Sequence, residues 1–307
     1  MRLRFTIPLN SQRLGWERHQ VFVIVGLVML FGCVFGFYVL HHGPMEPIIE
    51  AAPIELGTIF GAGISAMLIG NSLEIIKGVG GGIGKCLSGP AYHKQEFMDT
   101  IFLVVKLFKV FKAEGAVALE AHIENPEGSA IFSEFPKLLK DHALIAMIAD
   151  TIRLLVTSNQ PPKPEAVEDY LNVAIRAHHS AALKPAEAMA SLEGALPALG
   201  IVACVLGVVK TMAAIDQPPP VLGGLIGSAL VGTFLGVFLA YGIVGPLSQR
   251  MKQIVDEEGE IYHVAKFALI GHLQGYPVPL IIETARAAIN HHSQPTFAEV
   301  FDGLRGK

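Results

Sequence analysis

The sequence predicts an all-α integral membrane protein with four transmembrane helices and a large helical region in the cytosol. Of its 307 residues, 51% are hydrophobic and only 16% are charged, whereas a soluble protein carries about 25% charged residues. Two apolar segments, 195–215 and 221–244, are each long enough for a helix that crosses a hydrocarbon core of about 30 Å. Two pairs of glycines four residues apart occur at 223/227 and 232/236, and small residues at this spacing let membrane helices pack closely.

The rest of the chain divides by hydropathy into polar regions and two further spans. Residues 21–40 form an apolar run that is too long for the core of a cleavable signal peptide, and 56–69 form a shorter run. We therefore predict a basic N-terminal extension at 1–20, transmembrane helices 1 and 2 within 21–71, a cytosolic helical domain at 72–193, transmembrane helices 3 and 4 within 194–247, and cytosolic C-terminal helices at 248–307.

The distribution of positive charge predicts the orientation of the four spans. Of the 23 Lys and Arg residues, 4 lie in 1–20, 12 in 72–193 and 6 after 246, while the links 41–55 and 216–220 contain none. Because Lys and Arg accumulate on the cytoplasmic side of membrane proteins, we expect both termini in the cytosol. The chain is therefore predicted to be a multi-pass membrane protein.

The polar regions carry helical patterns. In 92–114, apolar residues alternate with lysines at a spacing of three to four, which is typical of an amphipathic helix, and Gly115 is expected to end it. Residues 135–155 and 165–190 show similar spacing. The fourth span is expected to continue past Pro246 as a helix.

Composition and motifs argue against several functional classes. A net charge of −4 and the absence of a basic stripe do not suit a nucleic-acid-binding protein. Three scattered cysteines and adjacent histidine pairs do not predict a metal site. A dinucleotide-like glycine pattern at 61–66 lies inside a span, and the phosphate-loop-like stretch at 78–85 departs from the motif twice and is read as a linker. We therefore expect neither an enzyme nor a cofactor.

The spans lack an obvious ion-binding group of their own. The acids Glu46, Glu50, Glu55 and Asp216 are expected at or beyond the outer ends of the membrane segments. A carboxylate for ion transport would therefore have to come from a partner chain. Thr233 could line an ion path or bond back to its own helix. The prolines near the cytosolic ends of the hairpin, Pro197 and Pro246, could be hinges or simple kinks.

Several motifs resemble those of one known family. LPALGIVA at 196–203, GVV at 207–209 and VGTFLGVFLAYG at 231–242 look like the third and fourth spans of the MotA family. LEAHIENP at 119–126 looks like its cytosolic loop motif, and GYP at 275–277 and PTFAE at 295–299 are similar to its C-terminal region. From about residue 21 onward, the chain resembles this family of flagellar motor stator subunits.

The resemblance implies partners and residue roles. It implies a ring-forming homopentamer in the bacterial inner membrane, arranged around two copies of MotB, whose aspartate binds the proton. It also implies a contact with the rotor protein FliG. By position, Pro197 and Pro246 match the family's coupling prolines, and Thr233 matches its channel-lining threonine. Glu120 matches an acidic rotor-contacting residue, and Lys112 falls where the basic one is usually arginine.

The resemblance also bears on the transported ion. Sodium-driven relatives tend to carry threonine where this chain has Cys204, and proton-driven relatives carry alanine. Because cysteine is a poor ligand for sodium, protons are favoured. The alternatives are an energising subunit like ExbB or TolQ, which generally has three spans, and a membrane scaffold that conducts no ions.

Overall fold

The computed structural model describes residues 22–158 and 162–306, so the predicted basic extension at 1–20 lies outside the described residues. The described residues are helical, with no strand among them, as the sequence predicts. The helices are α1 (Phe22–Leu40), α2 (Glu46–Gly70), α3 (Leu73–Ser88), α4 (Lys94–Glu114), α5 (Ala116–Glu124), α6 (Ala130–Ser133), α7 (His142–Thr157), α8 (Pro164–Met212), α9 (Pro219–Leu273), α10 (Val278–Ala287) and α11 (Phe297–Gly306).

Four of the described helices are long and apolar enough to cross a membrane, which is the predicted number. They are α1, α2, α8 and α9, with 19, 25, 49 and 55 residues. A crossing needs about 20 residues, so α8 and α9 continue well beyond the hydrocarbon core. The predicted continuation of the fourth span past Pro246 is confirmed.

The second span begins at Glu46, earlier than the predicted Leu56. Pro47 lies in the first turn of α2, where proline is tolerated because that N–H has no helical partner, and Pro53 is accommodated inside the helix. The sequence-based boundary was therefore wrong, and the segment read as an outer link is mostly helix.

The glycine-rich stretch at 78–85 is also helical, within α3, and the linker interpretation is corrected. A Cβ atom built on Gly78 would lie 2.6 Å from Pro185 Cγ, and one on Gly82 would lie 2.3 Å from Met251 Cε. Glycine at 78 thus permits close packing against the rigid ring of Pro185 on α8, and Gly82 packs against the flexible end of Met251 on α9.

The helices group into two compact units, each with its own core. One comprises the described part of Met1–Gly89 together with Leu183–Ile254. Its buried residues come from α2, α3, α8 and α9, among them Ile59, Leu196 and Leu235.

The second unit comprises Pro90–Ala182 and the described part of Val255–Lys307. Helix α4 buries Phe97, Ile101, Val104 and Phe108 along one face, which confirms the amphipathic helix predicted at 92–114. Gly115 ends α4 with a φ of 86°, a conformation that favours glycine because it has no Cβ atom.

A partly buried aspartate, Asp141, organises the second unit around the start of α7. Asp141 Oδ1 accepts hydrogen bonds from the backbone N–H groups of Ala143 and Leu144, at 3.1 and 3.0 Å. The hydroxyls of Tyr92 and Tyr262 also donate to its carboxylate, at 2.5 and 2.9 Å. One side chain therefore caps a helix and joins three segments of the unit.

Candidate functional site

The third and fourth spans pack through glycine. A Cβ atom built on Gly200 would lie 2.8 Å from the Gly232 carbonyl oxygen and 3.0 Å from Gly236 Cα, and one on Gly207 would lie 2.6 Å from Ala229 Cβ. The predicted close packing is thus found at Gly232 and Gly236.

The other predicted glycine pair does not take part in this packing. Cβ atoms built on Gly223 and Gly227 meet no described atom within 4 Å. Within the described residues, the small-residue contact between α8 and α9 is therefore confined to the part of α9 that contains Ala229, Gly232 and Gly236.

Both residues predicted for an ion path lie beside this contact. A Cβ on Gly232 would come within 3.3 Å of the Cys204 backbone nitrogen, and Thr233 is the next residue along α9. Cys204 and Thr233 are both partly buried. Packing of α8 on α9 thus brings the backbones of Cys204 and Thr233 to the same height along the two helices.

The Thr233 hydroxyl makes no hydrogen bond to any residue that the structure describes. In contrast, the Thr58 hydroxyl donates to the Ile54 carbonyl at 3.0 Å, and the Ser65 hydroxyl donates to the Gly61 carbonyl at 2.7 Å. These two side chains return a hydrogen bond to their own helix, which was the alternative considered for Thr233. The Thr233 hydroxyl is left available for water or for a group from another chain.

Glu55 lies among the packed helices of the first unit, contrary to the sequence-based expectation that it sits at an outer end. Glu55 is the tenth residue of α2, about 14 Å along the helix axis from Glu46. Its Oε2 atom lies 2.7 Å from the Cβ position of Gly232. The prediction that every acid sits at an outer end failed because the start of α2 was placed too late.

The signal that identifies Glu55 is present in the sequence once the helix is extended. Ala51, Ile59 and Gly63 are buried on α2, and Glu55 shares their spacing of four. Residues at this spacing lie on one face of a helix. A glutamate in an otherwise apolar buried row indicates a group that faces protein and not lipid.

An aromatic cluster joins the first span to the fourth. The Phe31 ring packs edge-on against Phe238, with centroids 5.3 Å apart, and Phe35 packs against Phe234 and Phe238 at 5.9 and 5.6 Å. Offset and edge-on aromatic pairs at such separations stabilise packing. The cluster fixes α1 beside the residues that follow Thr233.

The two predicted coupling prolines lie inside continuous helices and do not end them. Pro197 is within α8, and Pro246 follows a π-helical segment at Ala240–Val244 in α9. A proline has no N–H to donate to the preceding turn, and a local π segment is one way in which a helix accommodates the missing bond. The carboxylate of Glu193 lies nearby, 2.6 Å from the Cβ position of Gly245.

The two predicted rotor-contacting residues are exposed on either side of a helix break. Lys112 is on the last turn of α4 and Glu120 on α5, with Gly115 between the helices. In the same unit, Arg153 Nε pairs with Glu124 at 2.7 Å, and Lys106 pairs with Glu134. No ion pair is recorded for either Lys112 or Glu120 among the described residues.

The described residues include no cluster of three or more His, Cys, Asp or Glu side chains that could hold a metal ion.

One ion pair in the second unit strongly affects a carboxyl group. A hydrogen bond from Lys94, together with bonds from Thr296, lowers the pKa of Glu299 to about 2. Lys94 Nζ lies 2.7 Å from Glu299 Oε1, so this pair joins α4 to α11.

Comparison with known proteins places the chain in a family. A family model described as Motility protein A N-terminal matches residues 24–115, and a model of the MotA/TolQ/ExbB proton channel family matches 139–263. Motility protein A of Salmonella typhimurium is 35% identical over 283 residues, which cover 92% of this chain and 95% of the relative. Chemotaxis protein LafT of Vibrio parahaemolyticus is 31% identical over 276 residues, covering 90% and 95%.

Solved structures share the fold. A structure of C. jejuni MotAB matches with a TM-score of 0.66 at 16% identity and covers 87% of this chain and 95% of that chain. The flagellar MotAB stator complex from Bacillus subtilis matches with a TM-score of 0.60 at 21% identity, covering 85% and 92%. These matches confirm the predicted all-helical fold. The four membrane-length helices and the match to the proton channel family indicate a multi-pass inner-membrane protein. The chain belongs to the MotA/TolQ/ExbB proton channel family, as a flagellar motor stator subunit of the Motility protein A type.

Proposed function

We propose that this chain forms a homopentamer around two copies of MotB, conducts protons with the MotB aspartate, and transmits the resulting movement to the rotor protein FliG. The observation that carries the proposal is similarity over 92% of the chain to a Motility protein A. The similar solved structures are of MotAB complexes, which supports MotB as the partner. The match of residues 24–115 to the motility-specific model and the four spans favour a motor subunit over an ExbB-like or TolQ-like energiser.

The geometry around Thr233 supports a role in ion passage. Its hydroxyl has no partner among the described residues, so it can hydrogen-bond a water molecule or the carboxyl group of MotB. A hydroxyl cannot itself release a proton near neutral pH, and the partner's aspartate supplies that chemistry. Cys204, a poor sodium ligand, lies at the same level and supports the proton as the ion.

The prolines support a path from the membrane to the cytosolic helices. Pro197 and Pro246 each interrupt the hydrogen bonding of a helix that continues into the second unit. One proton crossing 100 mV releases about 2.3 kcal/mol, which biases a two-state rearrangement about fiftyfold. A change of angle at these two positions is therefore within the energy of a single proton.

The exposed charges support the rotor contact. Lys112 and Glu120 lie near a helix break, and neither forms an ion pair with another described residue. Exposed charge pairs contribute about 0–1 kcal/mol each, so contact with FliG is expected to involve several charges, with Lys109 and Glu114 as further contributors. The distribution of Lys and Arg supports a cytosolic position for both termini and for the loop region that carries these charges.

A complementation experiment tests the proposal. Cells without their own stator would receive this chain and its partner gene, and stepwise recovery of torque on a tethered bead would be recorded. We expect torque from the wild type, none from Pro197→Leu at normal membrane levels, and none from Thr233→Val. Thr58→Val is the matched control, because the Thr58 hydroxyl is bonded to its own helix, and it should rotate normally.

The rotor contact is tested separately by charge reversal. Lys112→Glu and Glu120→Lys should lower torque without lowering proton flux, whereas Lys163→Glu, an exposed charge elsewhere in the second unit, should leave both unchanged. A correctly assembled complex that produces no torque with wild-type sequence would contradict the motor proposal and favour an energiser or a scaffold.

A further inference from the structure

Glu55 lies in the row of α2 residues that packs against the other helices of the first unit. Ala51 is 4% exposed and Ile59 is fully buried, and Gly63 approaches Leu192 so closely that a Cβ atom would lie 2.8 Å from its Cδ1. Glu55 falls between Ala51 and Ile59 at the same spacing of four. Its side chain is partly buried and leaves α2 on the face that contacts α8 and α9.

The carboxylate reaches the level of the predicted ion path. A Cβ atom on Gly232 would meet Glu55 Oε2 at 2.7 Å, Ala203 Cβ at 3.2 Å and the Cys204 nitrogen at 3.3 Å. Three helices of the first unit therefore converge at one point, and Thr233 follows Gly232 directly. Glu55 is about 14 Å from the start of α2 and about 22 Å from its end, so this point lies in the interior of a helix of membrane-spanning length.

On α2, α8 and α9, the other charged side chains are more than one helical turn along the helix from the residues that meet at this point. Within the described residues, Glu55 makes no hydrogen bond and no ion pair. On α8 the titratable group at this level is the Cys204 thiol, while Glu193 and Lys210 are more than one helical turn away along the helix. On α9 the titratable group between Pro219 and Gly245 is Tyr241, more than two turns from Gly232.

An isolated charge in such a place is unstable, and acids inside membrane helices are usually functional. A carboxylate without a cation or hydrogen-bond donor lowers its free energy by binding a proton. When water or another carboxylate approaches, the same group can release that proton. We propose that Glu55 is a second proton-carrying group on the ion path, which takes a proton from water on the outer side and passes it toward the carboxylate supplied by the partner chain.

This inference rests on the proposed function, since it requires that protons flow through the complex. In each cycle the proton binds one Glu55 oxygen and then leaves it for the partner's carboxylate through water or a hydroxyl such as that of Thr233, and the Glu55 carboxylate is regenerated. The alternative is a structural role, in which a permanently protonated Glu55 fills space next to Gly232. The two roles differ in whether the side chain must lose its proton.

Substitution by glutamine separates these roles. Gln has nearly the shape of a protonated glutamic acid but cannot exchange a proton in this way, so Glu55→Gln should keep assembly and lower proton flux and torque by roughly tenfold or more. Glu55→Asp should restore part of the flux and shift the external pH at which torque is half-maximal. The matched control is Glu50→Gln, which alters an exposed acid on the same helix and should behave as wild type.

The measurement is proton flux into vesicles that contain the purified complex, together with motor torque as a function of external pH. Full flux and an unchanged pH profile in Glu55→Gln would overturn the inference and assign Glu55 a structural role. Absence of proton-driven flux in the wild-type complex would instead contradict the proposed function, so the two failures are distinguishable. Retention of the complex on a column through the tagged partner chain verifies that each variant has assembled.

Discussion

The packing of the hairpin predicts a specific sensitivity at Gly200. Replacing Gly200 by alanine adds a methyl group that would lie 2.8 Å from the Gly232 carbonyl oxygen and 3.0 Å from Gly236 Cα. Both neighbours are backbone atoms and cannot turn away as a flexible side chain would. The two helices must therefore separate, or α8 must bend.

The size of the effect follows from that geometry. Ordinary contact begins near 3.4 Å, so the helices must move apart by about 0.6 Å, which removes about a quarter to a half of the dispersion energy at the contact. Overpacking of this kind typically costs about 1–3 kcal/mol. The folded hairpin should thus become about 5-fold to 150-fold less favoured relative to the separated helices.

Unfolding of the purified chain in mixed detergent micelles, followed by helical circular dichroism, measures this change. The matched control is Gly223→Ala in the same hairpin, since a methyl group there meets no described atom within 4 Å. Alanine favours helix over glycine by about 1 kcal/mol, so the control should be neutral or slightly more stable. Equal unfolding midpoints for Gly200→Ala and Gly223→Ala would refute the packing explanation.

Three further predictions concern the second unit. Gly115→Ala should lower the free energy of unfolding by about 1–3 kcal/mol in thermal denaturation, because the backbone φ of 86° at this position is strained for alanine. The added methyl group itself meets open space, so an unchanged melting temperature would contradict the backbone explanation. Asp141→Ala should be destabilising by about 2 kcal/mol, since it removes a helix cap and the acceptor of two partly buried tyrosine hydroxyls. Asp141→Asn should retain part of the stability. Because the pKa of Glu299 is lowered, its ion pair stabilises α11 fully above about pH 4.5, and this stabilisation is lost as the pH falls toward 2. Hydrogen exchange in α11 should therefore become faster as the pH falls, beyond its intrinsic pH dependence, and Lys94→Gln should weaken this effect. Equal exchange profiles for the wild type and Lys94→Gln would exclude the ion pair as the cause.

The sequence was sufficient to predict the four spans because hydropathy and length determine which helices can cross a membrane. It also predicted α4 and its end, since the apolar residues from Phe97 to Phe108 keep helical spacing and Gly115 follows the last turn. Thr233, Cys204 and the two prolines were found through family motifs, and their roles stay predictions.

Other features depend on contacts that no local pattern shows. Gly78 and Gly82 suggest a flexible linker by composition, but they are packed against Pro185 and Met251, so tertiary contact outweighs the low helix propensity of glycine. The start of α2 was misplaced because Pro47 and Pro53 suggest a loop when their helical context is unknown. That error concealed Glu55, whose place in a buried row emerges only when the helix begins at Glu46.

The most direct test of the central proposal is the speed of a single motor under imposed gradients. Cells without their own stator, complemented with this chain and its partner, would carry a bead while the proton and sodium gradients are varied independently. We expect the speed to rise with the proton gradient at constant sodium and to be unaffected by sodium at constant proton gradient. A speed that follows sodium would contradict the interpretation of Cys204 and the proton-based mechanism, including the role of Glu55.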